Sequence, residues 1–358
     1  MFTSFNLHDR LLKAIETLGY TEPTPVQQAA IPLVLQGTDV YATAQTGSGK
    51  TAAFVLPTLH LLLQDAKPRT ATRALILLPT RELALQTLKQ VELLAQFTFI
   101  KATLITGGED FKRQAAALRK NPDIVIGTPG RLLEHRNAGH LALGDLDVLI
   151  LDEADRMLDL GFKEDLEAIL AFAPEGHRTH LVSATFPRGV LSLANAVQNN
   201  PAHVEGTPLG SANSDIEHVI HLVDAKDRVA AIINLLLARP GEQTLIFART
   251  RADVAHLTRD LSQAGFHVHS LSGEMEQGER NRALAKFKSG GLDALIATDV
   301  AARGIDVQDI ARVIHAEPPT DPDTYTHRSG RTGRAGKKGT SALLVAPSTL
   351  AKTTSLLK

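Results

Sequence analysis

Short apolar runs rich in β-branched residues punctuate the first part of the chain at 39–44, 74–78, 102–106, 123–128, 148–151 and 180–183. Between them apolar positions return every three or four residues. A run that is apolar at nearly every position is covered on both faces, and the helical period between runs supplies the cover, so the pattern predicts a parallel sheet flanked by helices. Large apolar residues thin out through 206–214, and the pattern restarts at 218–223, 244–248, 267–271, 294–298, 313–316 and 341–345. Two α/β units follow from this: one over 1–207, a linker over 208–216, and a second over 217–347. Residues 348–358 read as a tail or the start of a helix, and as the approach to a further C-terminal extension. The halves share a pattern class but no residue-level repeat.

Composition narrows the setting. With 358 residues, 43% hydrophobic and 22% charged, the chain has the make-up of a soluble globular protein of two domains. Its longest apolar runs, such as 61–63 and 148–151, are too short to span a bilayer, and no signal-peptide pattern opens the sequence. The expectation is a cytoplasmic monomer with no membrane partner. Cysteine is absent, which removes disulfides, thiolate metal sites and a cysteine nucleophile and leaves oxygen or imidazole to hold any metal. Residues 1–210 carry 19 basic and 22 acidic side chains, and residues 211–358 carry 19 and 17. Neither half is strongly basic, so a nucleic acid would be held by local arginines and backbone amides rather than by a long-range field.

Candidate chemistry begins with AQTGSGKT at 44–51. Gly47 and Gly49 let the backbone curl so that the amides of Thr46, Ser48 and their neighbours face phosphates, Lys50 reaches the β and γ groups, and Thr51 can hold Mg²⁺. Ala44 stands where the strict phosphate-loop pattern has glycine, and taken alone the segment is also compatible with a Gly/Ser turn. The run at 148–151 then delivers Asp152 and Glu153 at a strand's carboxyl end, where open α/β sheets bind ligands. Asp152 is suited to Mg²⁺, in part through water, and Glu153 to polarising an attacking water. Upstream, GYTEPTPVQ at 19–27 offers the Tyr20 ring for stacking, Glu22, and the Gln27 amide for an adenine edge. In isolation it is a proline-rich loop.

Together these blocks resemble the DEAD-box ATP-dependent RNA helicases of bacterial type, named for the tetrad that appears here as Asp152, Glu153, Ala154 and Asp155. The resemblance covers nearly the whole chain. Its blocks run in order through Phe2 and Gln27, AQTGSGKT, PTRELALQ at 79–86, Gly107 and Gly108, TPGR at 128–131, the tetrad, and SAT at 183–185. They continue with LIFART at 245–250, Gln277 with Arg280, ATDVAARGID at 297–306 and HRSGRTGR at 327–334.

The resemblance implies two tandem RecA-like domains with ATP and Mg²⁺ between them, Phe2 and Ala44 in the nucleotide site, Asp306 on the ribose, and Arg331 and Arg334 as arginine fingers. Asp155, Ser183, Thr185 and His327 would couple nucleotide to RNA. It further implies RNA contacts at Pro79, Thr80, Arg81, Gly108, Thr128, Gly130 and Arg131, and at Arg249, Gly273, Gln277, Thr298 and Arg303. The implied activity is RNA-stimulated ATP hydrolysis with local unwinding of short duplexes or remodelling of RNA–protein complexes. An ATP-gated RNA clamp with little unwinding and a DNA-directed helicase are the alternatives. An unrelated phosphate-loop enzyme would need no arginine pair in a second domain. Two departures stand out: HAEP at 315–318, where an Asn, an aromatic residue and an acid commonly precede the proline, and Ser329, where an aliphatic residue is frequent.

Overall fold

The apolar runs become strands and the periodic stretches between them become helices. A computed structural model describes residues 1–43, 48–65, 70–183, 188–205, 215–272, 275, 277–302, 310–333 and 338–356, without the side chains of residues 277, 281, 300, 323 and 356. The chain divides into two units, Met1–Leu209 and Gly210–Lys358.

The first unit is built on β1 (Val40–Thr43), β2 (Ala74–Leu77), β3 (Ala102–Ile105), β4 (Ile124–Gly127), β5 (Val148–Asp152), β6 (Arg178–Ser183) and β7 (Ala202–Glu205). They form a parallel sheet in the order β3-β4-β2-β5-β6-β1-β7. Register is in phase across the middle, with Ile76 beside Ile126 and Ile150. Alternate residues therefore feed two separate cores. Ile76, Ile126, Ile150 and Val182 pack with Phe54, Leu59 and Ile31 on one face, while Leu75, Val125, Leu149 and Leu181 pack with Met157, Leu166 and Val190 on the other. Each such side chain contributes about 1.5–3 kcal/mol by leaving water. The pattern of apolar runs does not reveal β7: of its four residues only Val204 is buried, and the edge position asks for no more. Asp39 ties this edge together, accepting from the Thr179 amide at 3.0 Å and the Asn199 amide at 2.7 Å.

His180, in the middle of β6, is fully buried against the Phe54 ring. Neither ring nitrogen has a hydrogen-bond partner among the described residues. Burial, aided by the nearby Arg178 charge, pushes the imidazole down to about 3. A histidine whose folded value lies below its unfolded value near 6.5 leaves stability intact above that pH and erodes it as the pH falls towards 3. His180→Leu is expected to raise unfolding stability by about 1–3 kcal/mol at neutral pH. The gain should grow at pH 5, and urea unfolding of the first unit at both pH values checks this.

The second unit holds β8 (Ile216–Leu222), β9 (Thr244–Phe247), β10 (Val268–Leu271), β11 (Ala294–Ala297), β12 (Arg312–His315) and β13 (Gly339–Val345). All are parallel, in the order β10-β11-β9-β12-β13-β8. Counted from each unit's own first strand, this is the path of the first six strands of the first sheet. The repetition lies in topology, which explains why residue comparison of the halves does not expose it. Ile246, Ile296 and Ile314 pack against Ile232 and Leu257 on one face, and Leu245, Leu295 and Val313 against Phe287 on the other. The tail forms a short 3-10 turn, Pro347–Thr349, and a helix, Leu350–Leu356, with Thr353 buried. Among the described residues no helix is long and apolar enough to cross a membrane.

Candidate functional site

In the sheet order the carboxyl ends of β5, β6 and β1 are neighbours, and the predicted nucleotide residues follow these three strands. Ala44, Thr46 and Gly47 lie outside the described residues. Gly49 is described: its φ of 84° is left-handed, and it precedes the helix Lys50–Gln64. A Cβ there would sit 2.6 Å from the Gln27 amide nitrogen, so conformation and space both require glycine. Gln27 is buried and joins two elements. Its Oε1 accepts from the Thr24 amide at 3.0 Å in a capping box that starts the helix Pro25–Leu35, and its Nε2 donates to the Gly49 carbonyl at 3.0 Å. The predicted adenine reader is thus also a brace for the phosphate loop. Phe2 is buried in the core, edge-on to Phe5 with centroids 6.2 Å apart, whereas Tyr20 and Glu22 are exposed. Ser48 and Thr51 are half-buried.

At the end of β5 four ionisable side chains meet out of water. Lys50 Nζ lies 3.0 Å from Asp152 Oδ1 and 3.5 Å from Glu153 Oε1, and Arg156 Nη1 lies 2.6 Å from Glu153 Oε2. All four residues are no more than 6% exposed. Burial works against the Lys50 charge, but the Asp152 and Glu153 carboxylates, with Asp155 behind them, outweigh it and hold its pKa above the ordinary range. Glu153 has φ 58°, a left-handed conformation uncommon outside glycine that turns the chain from β5 into the helix Ala154–Asp159. Its carboxylate ends up between two cations. Arg156 escapes the motif reading, although its spacing of three from Glu153 is the helical ion-pair spacing. Asp155 is buried and its amide donates to Ser183 Oγ at 3.3 Å, joining the ends of β5 and β6. Thr185 lies outside the described residues.

The predicted RNA residues of this unit follow β2, β3 and β4, the adjacent trio on the other side of β5. Pro79 is buried, and Thr80 caps the helix Arg81–Ala95 by accepting from the Leu83 amide at 3.4 Å. The Arg81 guanidinium lies against Gly107 and Gly108, where φ is 78° at Gly108 and any Cβ would collide with it. Thr128 precedes the helix Pro129–Asn137, which carries Gly130 and Arg131 in its first turn. Arg131 donates to the Glu109 carbonyl at 3.1 Å and Gln114 Oε1 at 3.2 Å, and pairs with Glu134 at 2.9 Å. The expected RNA contact is therefore also a brace for the segment after β3.

In the second unit the corresponding trio β9, β10 and β11 carries Arg249, Gly273 and Thr298 just beyond its strand ends. Arg249 is exposed and pairs with Glu317 at 3.2 Å, and Thr298 Oγ1 accepts from the Ala301 amide at 3.3 Å. Gly273, Arg303, Asp306 and Arg334 lie outside the described residues, and of Gln277 only the backbone is described, at the start of the helix Gln277–Lys288. His327 is half-buried and Arg331 buried, just past the helix Pro322–Ser329. An arginine that the sequence reading did not single out proves central here. Arg328 forks onto Asp299 at 2.6 and 2.8 Å and covers the Phe247 ring.

The two departures from the family pattern meet in space. His315 is buried; its Nε2 lies 3.0 Å from Ser341 Oγ and 3.3 Å from Ser329 Oγ, and the two hydroxyls are 2.8 Å apart. Tyr325 stacks on the imidazole, and its hydroxyl meets His218 Nδ1 at 2.8 Å. Burial, with Arg328 and His218 nearby, keeps His315 neutral, well below its ordinary range. A hydroxyl at 329 thus completes a network that an imidazole at 315 begins. Ser329→Val is expected to cost about 1–3 kcal/mol by leaving buried partners unsatisfied. The check is denaturant unfolding; an unchanged midpoint would refute the pairing.

A divalent cation would find suitable donors at Thr51 and Asp152, which line one small cleft and offer only oxygen. Groups of three or more potential metal-ligating side chains are absent among the described residues, so phosphate and water oxygens would complete its shell, as Mg²⁺ prefers.

Comparison with known proteins agrees with this layout. Residues 24–193 match the family model for the DEAD/DEAH box helicase and residues 227–336 that for the helicase conserved C-terminal domain. The chain is 40% identical over 346 residues to the DEAD-box ATP-dependent RNA helicase CshA of Bacillus cereus, covering 97% of this chain and 65% of that protein. It therefore spans just under two thirds of that relative's length. Identity to the ATP-dependent RNA helicase DbpA of Bacillus subtilis is 41% over 339 residues, covering 94% of this chain and 70% of that one. The solved structure of S. cerevisiae Dbp5 bound to RNA and ADP BeF3 superposes with a TM-score of 0.86 at 31% identity, covering 99% of this chain and 93% of that one. Two parallel sheets with the same strand path over six strands, a buried lysine–carboxylate cluster at the end of β5, and matches that span both units lead to one assignment: the chain belongs to the DEAD-box helicase family, and its units are tandem RecA-like domains.

Proposed function

We propose that this chain hydrolyses ATP in response to single-stranded RNA, grips that RNA without regard to base, and separates short duplexes or remodels RNA–protein complexes. The observation that carries the reading is the buried cluster of Lys50, Asp152, Glu153 and Arg156 at the end of β5. Lys50 would turn part of its charge from the carboxylates to the β and γ phosphates. Thr51 and Asp152 would hold Mg²⁺, which when bound offsets phosphate charge. Glu153, fixed between two cations, would orient and polarise the attacking water.

RNA would lie across the helix starts that follow β2, β4, β9 and β11. Backbone amides there hold phosphates of any sequence, and contacts to 2′-hydroxyls select RNA over DNA. Closure of the two units would bring Arg331 and Arg334 to the γ-phosphate and tie turnover to RNA. Dbp5, bound to RNA and ADP BeF3, lends this reading support through its likeness of fold.

The test is steady-state ATP turnover alone, with single-stranded RNA and with the matching DNA, beside strand separation of a short RNA duplex. Stimulation by RNA only, with separation, supports the proposal. RNA-stimulated turnover without separation would favour an ATP-gated clamp, and stimulation by DNA alone a DNA-directed enzyme. RNA-independent turnover would overturn the coupling.

A further inference from the structure

We propose that the second unit carries a binding site of its own, for a small organic phosphate with an aromatic or otherwise apolar body. The site is a cavity of about 560 Å³ at the carboxyl ends of β8, β9, β12 and β13. Its position follows from the repeated strand path. β8 and β12 occupy the places that β1 and β5 hold in the first sheet, so this cavity is the second unit's counterpart of the Lys50–Asp152 cleft. It also lies at the switch point between β9 and β12, where the chain turns to opposite sides of the sheet and where open α/β sheets take ligands.

The counterpart repeats one feature and lacks another. Arg228 is the first residue of the helix Arg228–Ala238 after β8, as Lys50 opens the helix after β1. Its Nη1 lies 2.5 Å from Glu317 just beyond β12, as Lys50 reaches Asp152 at 3.0 Å. The connecting residues 223–227, however, read VDAKD and contain no glycine. Without a backbone cradle the pocket is not built for a polyphosphate; side chains must hold the anion.

Those side chains are Arg228, Arg249 and Lys352, opposed by Glu317, which pairs with both arginines. Three cations against one carboxylate favour an anion. The two forked guanidiniums are fixed by Glu317 and retain further N–H donors. Val223, Leu344 and Ala346, with Pro318, form an apolar wall. Inorganic phosphate would leave that wall wet, whereas a ligand of ordinary organic size fills a volume in the range of known small-molecule pockets.

Phenyl phosphate is the probe, titrated into the full chain by ligand-observed NMR with excess ADP present to occupy the first unit. Binding that persists under ADP, falls at least tenfold in Arg228→Ala and in the surface variant Lys352→Glu, and is stronger than that of phenol or inorganic phosphate supports the site. Lys352→Glu keeps the test valid if Arg228→Ala fails to fold. Absence of binding, displacement by ADP, equal binding of phenol, or indifference to both variants each overturns it.

Discussion

Glu153→Gln is expected to lower RNA-stimulated ATP turnover by about 10²–10⁴-fold, the range for loss of a positioned general base. The substitution keeps the shape of a side chain that is 4% exposed and held on both oxygens, by Lys50 at 3.5 Å and Arg156 at 2.6 Å. What changes is charge, and with it the ability to polarise water. ATP and RNA should still bind, because neither Lys50 nor the helix starts that would hold RNA are altered. Turnover by phosphate release, together with fluorescent-nucleotide and RNA titrations, separates chemistry from binding. Turnover within threefold of wild type would remove Glu153 from the catalytic role.

Lys50→Ala should act on stability as well as on the nucleotide. Removing one partner from a buried ion pair costs about 3–5 kcal/mol, since the other charge stays behind. Here Glu153 keeps Arg156, so the penalty falls on Asp152, which is 5% exposed. Burial already pushes the Asp152 pKa up, and Lys50 is the cation that opposes that push. A carboxyl whose folded value exceeds its unfolded value costs stability above the unfolded value, and the cost fades as the pH falls through the folded one. The gap between variant and wild type should thus narrow as the pH is lowered in urea unfolding of the first unit. ATP affinity should fall at least tenfold, the loss of one charge-assisted contact to phosphate. A constant gap across pH would show that the lost stability comes from packing rather than from the stranded carboxylate.

Much of this was legible in the sequence, for identifiable reasons. Nine of the thirteen strands among the described residues announce themselves because they are buried almost throughout; β3, β8 and β10, half-exposed at sheet edges, keep enough apolar residues to be read, and β7 does not because an edge strand with one inward side chain, Val204, leaves no run. The candidate site residues were legible where the proposed chemistry fixes both residue type and spacing, as at Lys50, Asp152 and Glu153, which the fold brings together at the end of β5. Side chains that hold those residues in place were not. Arg156, the Arg328–Asp299 fork and the Gln27–Gly49 bond depend on which turns come together in space, and local pattern does not carry that information. The His315–Ser329 pair shows the same limit from the other side: two separate oddities in the sequence become one hydrogen-bonded feature only when β12 and the helix Pro322–Ser329 are packed.

The interior position of β1 bears on how the protein is made. Val40 pairs with His180 on one side and with Ala202 on the other, so the first strand of this unit to leave the ribosome waits for both of its neighbours. Strands β2 to β4 can assemble with shorter loops to close, whereas the last step of the first unit joins its two ends, a contact of high sequence separation and hence slow to form. A nascent chain halted before residue 202 would hold an apolar strand and an unfinished nucleotide cleft in the open, which is the interval in which a holding chaperone has most to protect.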